Sequence, residues 1–224
     1  MAQVLVTVPN LHWVHTTVAS FIVKLMLNSG HQLRLEWPSL KPYENYANTT
    51  AMRFVEGPWE FWLSVDNDNP PGLDRNPLDL CAANKDIVGF PTPIYHFTGK
   101  TPGERPFYHN GYDWDPLVQA YREHPVKAGL QEVDAVGTGM ILFHRRVFEH
   151  PDMQRGAFAR ITDQHGRVET GADLAMCQRA KAAGFHIFCA YDYPCDQFSE
   201  ISLNEMARAF LEMYQRLGNG PSHA

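Results

Sequence analysis

Three short stretches of the chain are apolar at nearly every position and stop on turn-forming residues. They are Gln3–Val8 (QVLVTV) before Pro9-Asn10, Phe61–Val65 (FWLSV) between Gly57-Pro58 and Asp66-Asn67-Asp68, and Asp86–Phe90 (DIVGF) before Pro91. Runs of this length, rich in β-branched and aromatic residues, predict buried strands rather than helices. Between the first two, Val14, Val18, Phe21, Ile22, Leu25 and Met26 recur at helical spacing, so Trp13–Asn28 predicts a helix that ends at Asn28-Ser29-Gly30. His31–Glu36 (HQLRLE) alternates as a second strand would, and Tyr43–Glu56 predicts a second helix. The first 90 or so residues thus read as two βαβ units, the second closed by the strand that ends in the acidic triplet.

The rest of the chain changes character. Pro91–Pro116 is rich in proline, glycine and rings (Tyr95, His96, Tyr108, His109, Tyr112, Trp114) and has no period, which predicts a long irregular segment. Its aromatic content argues against disorder; the rings either pack on the sheet or offer their faces to a sugar or a base. Val133–Arg146 (VDAVGTGMILFHRR) sets Gly137-Thr138-Gly139 between two apolar runs, and glycines so placed mark a bulge or a close approach of ligand or backbone. Gln154–Val168 is polar and predicts a loop. Ala172–Ala183 predicts a helix stopped by Gly184, Phe185–Ala190 a strand, Asn204–Leu217 an amphipathic helix, and Gly218–Ala224 a frayed tail.

Composition narrows the class. The 224 residues, 44% hydrophobic and 12% aromatic, suffice for one domain with a full core. A net charge of -6 and a pI near 6.0 speak against a surface that tracks nucleic-acid phosphates or a membrane by bulk charge. No apolar run approaches the roughly 18 residues of a membrane span, and Met1–Asn10 lacks the features of a signal peptide, so a cytoplasmic protein is expected. Cys81, Cys177, Cys189 and Cys195 form no CxxC pair and read as buried reduced thiols.

Asp66 and Asp68 hold the candidate chemistry. Two carboxylates one residue apart at the carboxyl end of a core strand stand where open α/β sheets place ligands. Their mutual repulsion is relieved by a hard divalent cation, Mg²⁺ or Mn²⁺, which takes oxygen ligands and bridges them to nucleotide phosphates. An EF-hand is excluded, because Pro71 and Pro77 stand where its glycine and bidentate Glu belong. A solvated Asp-Asn-Pro turn is the alternative reading of the triplet.

The order βαβ, acidic strand end, glycine-bearing strand, acidic helix start, strand resembles that of GT-A fold glycosyltransferases, in particular their small, family-2-like members. The residues that carry the resemblance are Asp66-Asn67-Asp68 as a DxD motif, Val136–Glu149 (VGTGMILFHRRVFE) and Gly171–Phe185 (GADLAMCQRAKAAGF). It implies an α/β, Rossmann-like single domain over residues 1–224, with a central mixed, mostly parallel sheet flanked by helices, a nucleotide-binding half at 1–90 and an acceptor-side half at 91–217. It implies a UDP- or GDP-sugar donor, a hydroxyl-bearing acceptor (a glycan, a small molecule or a modified nucleic-acid base), Mn²⁺ or Mg²⁺, and transfer with inversion. By the same resemblance Asp68 holds the metal, and Asp66 the metal or the ribose. Thr7 and Pro9 border the base, Asn48 and Arg53 are further donor contacts, and Gly137, Thr138, Gly139 and Trp114 lie on the acceptor side. Asp173 occupies the place of the general base, although Thr170-Gly171-Ala172-Asp173 also reads as a relaxed capping box. The late histidine that completes the metal site in many relatives is absent, and Asp196 or Gln197 stands in its neighbourhood. A sugar-phosphate nucleotidyltransferase would need a glycine-rich basic loop after the first strand, where this chain has Pro9-Asn10-Leu11-His12. A non-catalytic nucleotide- or sugar-binding module is the other alternative.

Overall fold

A computed structural model describes residues 1–10, 12–39, 41–71, 75–95, 107–198 and 211. The order of elements is β1 (Gln3–Thr7), α1 (Thr16–Asn28), β2 (Gln32–Glu36), α2 (Tyr43–Glu56), β3 (Phe61–Val65), a 3₁₀ segment at Pro77–Ala83, and β4 (Ile87–Gly89). Then come β5 (Pro93–Tyr95), β6 (Phe107–His109), β7 (Gly111–Asp115), β8 (Ala120–Glu123), β9 (Leu130–Val133), β10 (Ala135–Val136) and β11 (Met140–His144). The remainder is α3 (Arg146–Glu149), α4 (Pro151–Gln154), β12 (Ile161–Thr162), β13 (Val168–Thr170), α5 (Ala172–Ala182) and β14 (Ile187–Ala190). The expected Asn204–Leu217 helix and the tail lie outside the described residues, apart from Leu211, which is helical.

One seven-stranded sheet, ordered β2-β1-β3-β11-β4-β14-β9, organises the fold. β2, β1, β3, β4 and β14 point the same way, while β11 and β9 run against their neighbours. Successive residues of each central strand go to opposite faces. Leu5, Trp62, Ile87, Ile141 and Phe143 join one core cluster, whereas Val4, Val6, Phe61, Leu63, Val88, Met140 and Leu142 join the other. The first cluster is closed by α2 (Tyr46, Ala47, Ala51, Phe54) and α5 (Met176, Cys177, Ala180), the second by α1 (Val18, Ile22, Leu25). A sheet covered on both faces needs strands that are apolar throughout, which is why the sequence shows continuous runs there rather than alternation.

Polar groups inside this frame are paired. The Trp62 Nε1–H donates to Thr7 Oγ1 at 2.8 Å, Thr7 Oγ1 lies 2.7 Å from the Tyr46 hydroxyl, and that hydroxyl lies 2.9 Å from Ser64 Oγ. This chain of hydroxyls ties α2 to β1 and β3. At the other end of α2, the Arg145 guanidinium donates to the carbonyls of Phe54, Val55, Gly57 and Trp59, satisfying the helix terminus while Nε pairs with Glu149.

Several local expectations shift. α1 begins at Thr16 rather than Trp13, because His15 is the N-cap and its Nδ1 accepts from the Thr17 N–H at 3.3 Å. The segment expected to be irregular after Pro91 contributes the β5-β6 pair and the strand β7, which joins β10 and β8 in a second sheet. The polar stretch after Gln154 contains the β12-β13 hairpin, whose residues are mostly exposed and so carry no apolar pattern to read. All four cysteines are free and buried. No helix among the described residues is long and apolar enough to cross a membrane.

Candidate active site

The carboxyl ends of β1, β3 and β4 open on one edge of the sheet, and β11 enters from that edge because it runs antiparallel between β3 and β4. The entry is tight: the Asp66 N–H donates to the Gly139 carbonyl at 2.7 Å. Gly137-Thr138-Gly139 is thereby set beside the acidic triplet. A Cβ at Gly139 would stand 2.9 Å from Asn69 Oδ1 and 3.2 Å from Thr92 Oγ1, and one at Gly137 would stand 2.6 Å from Asn110 Nδ2. The close approach expected at these glycines is therefore made by the protein's own asparagines, which fix the loop against β3.

Asp66 and Asp68 are partly buried at this edge. Burial pushes the Asp66 carboxyl well above the usual carboxylate range, and the charges of Asp68 and Asp173 push it further the same way. Asp68 is raised as well, chiefly by burial, with opposing help from a backbone hydrogen bond and from His15. The other carboxylate of the triplet and one from far along the chain, Asp173, thus both act on Asp66. That is an unfavourable arrangement for the empty protein and a fitting one for a cation. Among the described residues, no three His, Cys, Asp or Glu side chains form a ready-made metal centre.

Asp173 lies in the first turn of α5. Gly171 is the N-cap and supplies no side-chain hydrogen bond, so the expected capping box does not form; Asp173 Oδ1 instead accepts from the Leu174 N–H at 2.8 Å. Its charge acts on two tyrosines. Burial raises the Tyr43 hydroxyl well above its ordinary range, Asp66 and Asp173 add to the rise, and a hydrogen bond to Thr138 opposes it. Tyr112, on β7, is raised by burial and also feels Asp173. The charge of Asp173 thus bears on Asp66, Tyr43 and Tyr112 alike.

The remaining predicted residues divide. The backbone of Cys195–Phe198 runs antiparallel to Asp68–Pro71: the Asp196 N–H donates to the Pro70 carbonyl and the Phe198 N–H to the Asp68 carbonyl, at 2.9 and 3.0 Å. Asp196 and Gln197 are exposed there, next to the triplet in chain path. Thr7 is fully buried and its hydroxyl is committed to Tyr46 and Trp62, so its side chain supports the site from behind. Pro9 is partly exposed at the end of β1. Asn48 Oδ1 accepts from the Phe158 N–H at 3.1 Å, and Arg53 pairs with Glu36 at 2.9 Å beside Trp37 and Pro38, so both donor-contact candidates are engaged elsewhere. Trp114 stands at the outer end of β7, 43% exposed. A cavity of about 410 Å³ between α1 and Pro71, lined in part by Ser20, Lys24, Arg75 and Asn76, contains none of these residues.

Two residues escaped the sequence reading. His15 donates its backbone N–H to the Asn67 carbonyl at 2.8 Å, and its ring stacks on Phe198 with centroids 3.9 Å apart. This puts an imidazole beside Asp68 from the start of α1, where a search for a late histidine would not find it. Asn10 Oδ1, just beyond β1, is buried without a hydrogen-bond partner. Only its position directly after an apolar run could have pointed to it.

This arrangement defines a GT-A-like, Rossmann-related α/β fold with its acidic cluster at the carboxyl edge of the sheet. Among solved structures, the chain is similar to A197 from STIV (TM-score 0.60, 15% identity, 88% of this chain and 86% of that one). It is similar to GalNAc-T7 solved with UDP, GalNAc and Mn²⁺ (TM-score 0.57, 7% identity, 90% of this chain but 44% of that one). It is also similar to UDP-glucose pyrophosphorylase complexed with UDP-glucose (TM-score 0.50, 9% identity, 96% and 100% covered). No protein-family model and no curated protein matches the sequence.

Proposed function

We propose that the protein is a metal-dependent glycosyltransferase that moves a sugar from a UDP- or GDP-sugar to a hydroxyl acceptor with inversion, using Asp66-Asn67-Asp68 as a family-2-like DxD motif. The observation that carries this reading is the convergence of Asp66, Asp68 and Asp173, which leaves one carboxylate pair for a cation and a third carboxylate for proton transfer. The likeness in fold to GalNAc-T7, solved with UDP, GalNAc and Mn²⁺, and to UDP-glucose pyrophosphorylase, solved with UDP-glucose, supports a nucleotide sugar as the ligand.

In this reading Asp68 and Asp66 hold Mn²⁺ or Mg²⁺, and the exposed Asp196 or Gln197, on the segment hydrogen-bonded to Asp68 and Pro70, supplies a further oxygen. The cation, when bound, offsets the negative charge that develops on the departing diphosphate. Asp173 takes the proton of the acceptor hydroxyl while that oxygen forms its bond to the anomeric carbon from the face opposite the leaving group, and the bond to the diphosphate breaks. Inversion follows, because no second carboxylate is assigned as a nucleophile.

Calorimetry with UDP and GDP, with Mn²⁺ and then with EDTA, tests the metal; release of free nucleoside diphosphate from a panel of donors tests the transfer. Binding that is equal in EDTA would remove the cation. Release of pyrophosphate upon incubation of a sugar phosphate with a nucleoside triphosphate would assign the protein to the nucleotidyltransferases instead.

A further inference from the structure

β2 is the outermost strand on one side of the seven-stranded sheet, and among the described residues nothing pairs with its outer edge. The hydrogen bonds to β1 fix which groups lie along that edge. The Gln32 N–H donates to the Ala2 carbonyl at 3.0 Å, and the Glu36 and Pro38 carbonyls accept from the Val8 and Asn10 N–H groups at 3.1 and 2.9 Å. Even-numbered residues therefore turn their backbone to β1, and Leu33, Leu35 and Trp37 turn theirs outward. The edge is open as well as unpaired: a groove of about 320 Å³ lies against it, lined by Arg34, Leu35, Glu36, Trp37, Pro38 and Arg53. A free edge of this kind is a template for another strand.

The side chains divide by parity. Leu33 and Leu35 pack on the core beneath α1, with the exposed Trp37 beyond them, while Arg34 and Glu36 go to the opposite face. α1 leaves further apolar surface on the leucine face. Its sequence TTVASFIVKLMLN holds one charged residue, Lys24, and outside the buried Val18, Ile22 and Leu25 it exposes Val23, Met26 and Leu27 by 58, 40 and 77%. At about 100° per residue, Val23 and Met26 lie on the flank away from the one that meets Pro71 and Asn76, which is the flank towards β2. A helix apolar nearly all round is one that packs on more than one side.

Charge decides what fits this edge. When two copies of β2 run antiparallel about a two-fold axis, the outward residues must form the hydrogen-bonded pairs, and three registers then overlap the strands well. With Leu33 opposite Leu35, Arg34 meets its own counterpart. With Leu35 opposite Trp37, Glu36 meets its own counterpart. With Leu35 opposite itself, Arg34 faces Glu36 on both sides of the axis and Trp37 faces Leu33, so this register alone of the three joins opposite charges and apolar groups together. We infer that β2 is the interface between two copies of this chain, paired in that register with Leu35 on the two-fold axis, so that two sheets become one. A strand pair by itself falls short of the roughly 1,000 Å² that a specific interface needs, and the two α1 helices, brought to the same face of the joined sheet, supply apolar surface beside the seam. Antiparallel pairing points the two acidic edges in opposite directions, which leaves both candidate sites open.

Sedimentation equilibrium of the full chain across the micromolar range tests the inference, with a monomer–dimer equilibrium as the expected result. Arg34→Glu should weaken the dimer by about tenfold or more, because the symmetry sets like charges opposite each other twice, and Arg34→Glu combined with Glu36→Arg should restore it. Cα atoms of a hydrogen-bonded antiparallel pair stand about 5.5 Å apart, within reach of a disulfide, so Leu35→Cys should link two chains on mild oxidation and Leu33→Cys should not. The four native cysteines are buried and give no background. Thermal melting checks that the variants fold; should the charge variants melt early, the Leu35→Cys cross-link decides alone. A chain that stays monomeric at every concentration overturns the inference, as does a dimer indifferent to Arg34→Glu, or one that cross-links through Leu33→Cys and not through Leu35→Cys.

Discussion

Replacing Asp66 with Asn should make the metal-free protein more stable at neutral pH while abolishing metal-dependent nucleotide binding. The buried carboxyl is raised by desolvation first and by the charges of Asp68 and Asp173 next, so the folded state holds its proton more tightly than the unfolded chain. For a group whose pKa is raised on folding, the associated stability is fully present below the unfolded value of about 4, and is lost as pH rises through the folded value. Asn removes that loss, because it is never charged. Relief of one desolvated charge with two like charges nearby is worth about 1–3 kcal/mol on the scale of buried polar groups, or a rise of about 2–10 °C in melting temperature for a domain of this size. The assay is calorimetric melting in EDTA from about pH 4 to pH 8, where the gap between variant and parent should open as pH rises and close near the unfolded value. Adding Mn²⁺ with UDP should raise the parent and leave the variant unmoved. A variant less stable than the parent at neutral pH in EDTA would show that the Asp66 carboxylate is paired inside the fold, and the electrostatic argument for a cation would fail.

Other outcomes follow from single contacts. Asp173→Asn should lower turnover by about 10²- to 10⁴-fold with little change in donor affinity or melting temperature, since no capping box is lost; kinetics with separate diphosphate titrations check it. Gly139→Ala should cost about 1–3 kcal/mol in urea unfolding, because the added methyl meets Asn69 and Thr92 at 2.9–3.2 Å. Tyr46→Phe should cost about 1–2 kcal/mol by taking away the hydroxyl between Thr7 and Ser64, measured the same way.

What the sequence made legible was whatever depends on burial alone. The runs at Val4–Val8 and Phe61–Val65 are apolar at all but one position each because both faces of the sheet are covered, so their identity as strands and the acidic end of β3 could be read directly. Asp173 could be placed at a helix start for the same reason. The pairing of β11 between β3 and β4 could not be read, since an apolar run says nothing about which neighbours it takes. Nor could the partners of Gly137 and Gly139: a glycine records that space is short, not whether Asn110, Asn69 or a ligand fills it. His15 was hidden by distance along the chain, because only the folded turn at Asn67 brings it to Asp68.

The late insertion of β11 also sets a timetable for synthesis. β3 is complete at Val65, yet the strand that covers its open side begins only at Met140. At ordinary translation speeds that interval lasts roughly 4–15 s, during which a FWLSV edge is exposed without its neighbour. The same holds for β4, whose partners on both sides, β11 and β14, follow it in the chain. Contacts of such long sequence separation slow folding, and an uncovered apolar edge invites pairing with other nascent chains. A fragment ending near residue 90 would carry the acidic triplet and an unfinished sheet, so the growing polypeptide depends on its later half to protect its earlier one.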